Sequence, residues 1–94
     1  MLRLALDGAT EFLSIALADD EEILALESAR LPRGAENFFA AGVEKCLTRG
    51  GRQLAEVEEF ICTTGPGSFT GVRVTMATAL GLSLGCARPL LGID

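Results

Sequence analysis

Leu2, Leu4 and Leu6 alternate with Arg3, Ala5 and Asp7, the period of two that marks a strand with one buried face. Gly8 and Ala9 then predict a tight turn. Leu13, Ile15 and Leu17 alternate with Phe12, Ser14 and Ala16 in a second strand. The acidic run Asp19-Asp20-Glu21-Glu22 reads as a solvated turn, and Ile23 to Glu27 as a third strand. Links this short predict an antiparallel meander.

Leu31-Pro32-Arg33-Gly34 breaks the alternation, and the period changes. From Ala35 to Arg49 the apolar residues Phe39, Val43, Cys46 and Leu47 fall on one helical stripe, which Gly50-Gly51 ends. Leu54 and Val57 lie in a short acidic connector. Phe60-Ile61-Cys62-Thr63 is apolar enough for a central, parallel strand. A second helix follows the glycine-rich stretch that begins at Gly65. Pro89 closes it, and Leu90 to Ile93 form a last strand. The order βββαβαβ predicts an α/β fold, a mixed sheet with helices packed on it.

The second helix is unusual in its polarity. Arg73 is the one charged residue between Ser68 and Ala87, so 14 successive positions from Val74 to Ala87 carry no charge. A bilayer span needs about 20 apolar residues, and Gly, Thr and Ser interrupt this run, so a buried helix is expected and no membrane association. At about 100° per residue, Val72, Met76, Ala79, Leu80 and Ser83 are expected on one side, with Val74, Ala77, Gly81 and Leu84 opposite. A small sheet covers one side only. The side of Val72, Met76, Ala79, Leu80 and Ser83 is expected, together with Phe38 and Phe39, to form an intermolecular partner surface, with small residues permitting close helix approach. Phe38 and Phe39 are adjacent and cannot share a narrow stripe, so one of them is expected to face outward and join that surface.

Composition narrows the chemistry. The 94 residues suit one small domain, and the net charge of −5 argues against this chain gripping nucleic acid by itself, so any link to RNA runs through a partner. Cys46, Cys62 and Cys86 are widely spaced without a C-x-x-C pair, which fits buried thiols in a cytosolic protein. With no histidine in the chain, the usual Ser-His and Cys-His nucleophile systems are excluded, as is a histidine metal cluster. Asp19-Asp20 and Glu58-Glu59 read as solvated turns.

Two stretches could still carry a site. Asp7-Gly8-Ala9-Thr10 could hold a hydrated magnesium ion and cradle a phosphate, or be a plain hairpin in which Asp7 bonds to turn amides. Gly65-Pro66-Gly67-Ser68-Phe69-Thr70-Gly71-Val72-Arg73 could bind an anion at a helix N-terminus. It could equally be an N-cap by Ser68 or Thr70 with glycines serving turn geometry and close packing; no Lys follows Gly71, so it is not a Walker A loop. Arg73 could pair with Asp7, with a partner's acid or with a phosphate, or form a structural ion pair.

The string G-P-G-S-F-T-G-V-R, the opening Leu4 to Thr10 and the segment Pro89 to Ile93 occur in the order and spacing of the TsaB (YeaZ) family, grouped with glycoprotease-like (peptidase M22) proteins. The chain resembles the N-terminal half of a usual member, and is expected to be one half of a two-domain protein, residues 1–94 forming the first subdomain. The resemblance implies an actin-like ATPase (ASKHA, ribonuclease-H-like) subdomain and a cytoplasmic, non-catalytic subunit for N6-threonylcarbamoyladenosine modification of tRNA. It implies a TsaD homologue as catalytic partner, bound through a helical bundle that includes both helices. It also implies the TsaE ATPase in the complex, a capacity to homodimerise, and contact with tRNA only indirectly. Asp7 to Thr10 would be the remnant of a phosphate loop, with no cofactor on this chain alone and ATP and magnesium confined to the full complex. Gly8 and Ala9 depart from the family, which often carries hydroxyl residues there. The competing expectations are the nucleotide-binding half of an actin-like kinase or ATPase, and a homodimerising scaffold.

Overall fold

Alternation in the first two strands sends Leu2, Leu4, Leu6, Leu13, Ile15 and Leu17 to one face of the sheet, where all six are buried. The structure is a computed structural model that describes residues 1–9, 11–31, 33–65 and 69–94, the side chain of Phe69 excepted. Strands β1 (Leu2–Asp7), β2 (Phe12–Asp19) and β3 (Glu22–Arg30) form the antiparallel meander. Helix α1 (Ala35–Gly50), a 3₁₀ turn (Leu54–Glu56), β4 (Glu59–Thr63), α2 (Phe69–Cys86) and β5 (Leu90–Ile93) complete the chain.

The five strands lie in the order β3-β2-β1-β4-β5. β4 runs parallel to β1, with Leu4 opposite Phe60 and Leu6 opposite Cys62, and β5 runs parallel to β4. This is the expected βββαβαβ order. β3 is three residues longer at its C-terminal end than the alternation predicts. It also bulges: Leu17 pairs with Ala25 and Ala18 with Ile23, leaving Leu24 between them. The acidic connector carries a 3₁₀ turn closed by a reciprocal Gln53–Glu56 capping box.

Both α-helices pack on the same face. Phe39, Val43, Cys46 and Leu47 of α1 meet the leucines of β1 and β2, as the stripe predicts. The expectation that one of the adjacent phenylalanines faces outward is corrected. Phe39 is wholly buried, and Phe38 is half-buried against the same core, its ring edge-on to Phe39 with centroids 5.5 Å apart. Helix α1 packs against β2, β3 and α2, so neighbouring directions on the helix both find cover.

Two helices end in the same turn with different residues. After α1, Gly51 adopts φ 69°, and the Gly51 and Arg52 amides donate to the carbonyls of Thr48 and Leu47. After α2, Ala87 adopts φ 53°, and the Ala87 and Arg88 amides donate to those of Leu84 and Ser83. This is the Schellman closure. It corrects the assignment of helix closure to Pro89, which instead leads into β5 and accepts a hydrogen bond from the Phe60 amide. Among the described residues no helix is long and apolar enough to cross a membrane.

Candidate functional site

The exposed side of α2 is the most distinctive surface. Arg73, Met76, Ala77, Leu80, Gly81 and Leu84 face solvent, while Gly71, Thr75, Ala79 and Ser83 face inward. Met76, Leu80 and Leu84 are 42%, 49% and 72% exposed, so about half of that apolar area is left open by the described residues. The division expected from the sequence is therefore corrected. Met76 and Leu80 belong with Ala77, Gly81 and Leu84, while Ala79 and Ser83 are buried and Val72 is half-buried. On a helix this uniformly apolar, hydrophobicity does not mark the inward face. Close approach does: Gly71, Thr75, Ala79 and Ser83 lie against the sheet, flanked by half-buried Val74 and Leu82.

Thr75 and Ser83 are the polar residues on that inward face, and both are satisfied. The Thr75 hydroxyl donates to the Gly71 carbonyl oxygen at 2.6 Å, and the Ser83 hydroxyl donates to the Arg88 carbonyl oxygen. Between α2 and the β4–β5 edge runs an open apolar groove of about 310 Å³, bordered by Met76, Ala77, Leu80, Leu90 and Gly92.

The turn between β1 and β2 is pressed against the start of α2. A Cβ at Gly8 would collide with Thr75 Oγ1 and stand 3.0 Å from the Gly71 carbonyl oxygen. The Gly8 amide donates to Thr63 Oγ1 and the Ala9 amide to Asp7 Oδ1, both at 3.2 Å. The structure thus brings the aspartate turn and the glycine-motif helix together, but it spends these two amides on protein acceptors. Asp7 is exposed and acts as a turn carboxylate. Thr10 and the loop residues Pro66, Gly67 and Ser68 lie outside the described residues. Gly65 has φ 120°, Phe69 opens α2, and Thr70 stands inside its first turn rather than capping it. Gly71 is buried, and Arg73 is exposed two residues further on.

The remaining ionisable groups serve the framework. The Met1 ammonium group donates to Asp20 at 2.6 Å and to Asp19 at 3.3 Å, and Arg52 donates to Asp19 at 3.1 Å. The hydrogen bond from Arg52, followed by that from Met1, holds the Asp19 carboxyl below its ordinary value, while Asp20 chiefly raises the Met1 amine. The acidic run is thus tied down rather than only solvated, and its sequence signal is an N-terminus that starts a strand opposite that run. Burial pushes the Cys46 and Cys62 thiols up. Among the described residues, no group of three or more His, Cys, Asp or Glu side chains gathers as metal ligands would.

A mixed five-stranded sheet with its meander edge, two helices on one face and an aspartate turn at the end of the first strand defines a subdomain of the actin-like, ribonuclease-H-like class. The family model described as "TsaD: tRNA N6-adenosine threonylcarbamoyltransferase" matches residues 36–94. The chain belongs to this glycoprotease-like family, with TsaB (YeaZ) among its relatives. It is 38% identical to tRNA threonylcarbamoyladenosine biosynthesis protein TsaB from Escherichia coli K12, over 97% of this chain and 39% of that protein. A tRNA N6-adenosine threonylcarbamoyltransferase from Zymomonas mobilis is 40% identical over 52 residues, 55% of this chain and 14% of that protein. The structure of YeaZ from Pseudomonas aeruginosa superposes with a TM-score of 0.92 at 30% identity, covering all of this chain and 45% of that one. The 94 residues thus span less than half the length of these relatives.

Proposed function

We propose that the chain is a TsaB-type, non-catalytic subunit that docks on a TsaD-type transferase and supports N6-threonylcarbamoyladenosine formation on tRNA. The observation that carries this reading is the outward apolar stripe Met76, Leu80 and Leu84 on α2, which the described residues leave largely exposed. A stripe of this kind suits helix-on-helix packing, where Ala77 and Gly81 between the large side chains allow close approach. Phe39, Ala79 and Ser83 act from inside by holding the two helices against the sheet.

Several features favour a supporting role over a catalytic one. The chain has no histidine, and its net charge of −5 disfavours a direct grip on tRNA. The amides of Gly8 and Ala9 are occupied by Thr63 and Asp7, which leaves nucleotide to the partners. In this reading TsaD carries the transfer chemistry, TsaE joins the assembly, tRNA is met only indirectly, and self-pairing competes for the same α2 face. The test is reconstitution: threonylcarbamoylation of tRNA by a TsaD homologue with TsaE, measured with and without this chain. Stimulation on addition supports the reading; an unchanged rate with demonstrably active TsaD and TsaE counts against it.

A further inference from the structure

β5 is an open edge of the sheet, with β4 as its one neighbour among the described residues. The Phe60 amide donates to the Pro89 carbonyl and the Thr64 amide to the Ile93 carbonyl, so in this register Leu91 and Ile93 turn their backbone groups toward β4. The amides and carbonyls of Leu90 and Gly92 therefore point away from the sheet, and unpaired groups of this kind are a template for a further strand. The opposite edge is defended. β3 carries Glu22, Glu27 and Arg30 and the bulge at Leu24, whereas β5 is Leu-Leu-Gly-Ile, without charge or bulge. Side chains alternate across β5. Leu90 and Gly92 stand on the helix side, opposite the buried Phe60 and Cys62, and border the groove beside Met76 and Leu80. Leu91 and Ile93 stand on the other face, each about half exposed.

We infer that the β5 edge pairs antiparallel with β5 of a second copy of this chain, about a two-fold axis through Leu91. Three observations select that occupant. In this register Leu90 of each copy lies opposite Gly92 of the other and exchanges both N–H···O bonds with it, which pairs every free edge group of the two residues. Leu90 is the large side chain on the helix side and Gly92 has none, so each Leu90 rests in the space above Gly92 of the other copy, at the mouth of the groove. Carried to the strand ends, the register also sets exposed Arg88 opposite exposed Asp94 of the other copy, once on each side of the axis. Registers centred on Leu90 or on Gly92 lose both matches, and a strand of unrelated sequence matches the hydrogen bonds alone. α2 lies over β4, so in the pair the two α2 helices stand three strand spacings apart, about 14 Å, beyond the roughly 8–10 Å of packed helices. The sheet edges alone make the contact. It is separate from pairing through α2 and independent of docking on a TsaD homologue. The contact is small and each copy carries a net charge of −5, so the dimer is weak and reversible.

The test is sedimentation of the chain over a concentration series that reaches the millimolar range, with Arg88→Glu, Asp94→Arg and the two combined. Circular dichroism confirms that each variant folds. The expected result is a monomer–dimer equilibrium that each single reversal weakens about tenfold and the combined reversal restores. A second measurement reads the register. Leu91 meets its own counterpart at a non-hydrogen-bonded position, with Cα atoms about 4.5 Å apart and within disulfide reach. Leu91→Cys, made with Cys86→Ser to remove the half-buried thiol, is therefore expected to form a disulfide-linked dimer on mild oxidation much faster than Leu84→Cys made in the same way. The inference is overturned by a chain that stays monomeric throughout the series, or by a dimer that both single reversals leave unchanged. It is overturned too by a combined variant no stronger than the single ones, or by cross-linking through Leu84→Cys that outpaces Leu91→Cys, which would place the contact on α2.

Discussion

Gly8 of the β1–β2 turn lies directly beneath Thr75 of α2, so closely that a Cβ at position 8 would collide with the Thr75 hydroxyl oxygen and press on the Gly71 carbonyl. This contact seats the first turns of α2 against the sheet, and it thereby fixes which side of the helix faces solvent. Gly8→Ala is expected to lower stability by about 1–3 kcal/mol, the range for overpacking a closely packed site. The urea midpoint measures it; an unchanged midpoint would show that the helix is not seated there. Gly81 provides the contrast. A Cβ there meets nothing within 4 Å, so Gly81→Ala should raise stability by roughly 0.5–1 kcal/mol.

The paired helix closures make a second prediction. Gly51 holds a left-handed conformation without strain, whereas Ala87 holds nearly the same φ with a side chain. Ala87→Gly is expected to stabilise the chain by about 1 kcal/mol, and Gly51→Ala to destabilise it by about as much. Thermal melts of the two variants should move in opposite directions.

Much of this fold was legible in the sequence because strand alternation and the α1 stripe are strong periodic signals. Leu2-Leu4-Leu6 and Phe39-Val43-Cys46-Leu47 could hardly be buried any other way. Helix α2 was different. Its apolar residues are spread around the whole helix, so the period identified a helix but not its orientation. The choice was made by contacts remote in sequence, Gly8 against Thr75 among them. For the same reason the helical period sets Met76 and Leu80 with Ala79 and Ser83, which the fold buries, rather than with the exposed Leu84. The sheet register that aligns Leu26, Ala16, Ala5, Ile61 and Leu91 also depends on long-range pairing, which no local pattern reports.

The clamp around Asp19 should shape the pH dependence of stability. Its carboxyl is lowered from 3.8 in the folded chain, so its contribution is present above that value and fades as pH falls through the folded value. The Met1 amine is raised from 8.0, so its contribution is present below that value and fades as pH rises through the folded value. Both partners are solvent-exposed, and the effect is accordingly modest and sensitive to salt. Asp19→Asn should therefore lower the urea midpoint most between these limits, with the gap from wild type narrowing at acid and alkaline pH. A gap that stays constant across the range would contradict the clamp.

The three thiols should differ in reactivity. Cys46 and Cys62 are buried with their thiols pushed up, and Cys46 donates to the Ile15 carbonyl, whereas Cys86 is half-buried at the end of α2. With a thiol reagent such as DTNB near neutral pH, Cys86 should react first in the native chain, and Cys46 and Cys62 only on unfolding. Simultaneous labelling of all three under native conditions would show a looser core than the structure describes.

Docking through the outward face of α2 is tested most directly by calorimetric titration of this chain into a TsaD homologue, using the wild type, Leu84→Glu and Phe39→Ala. Saturable binding by the wild type is expected, with at least about tenfold weaker binding for a correctly folded Leu84→Glu. Phe39→Ala should lose about 3–5 kcal/mol of folding stability instead, which separates core from surface. Equal affinity of wild type and Leu84→Glu, or no binding by the folded wild-type chain, would contradict α2 as the docking face.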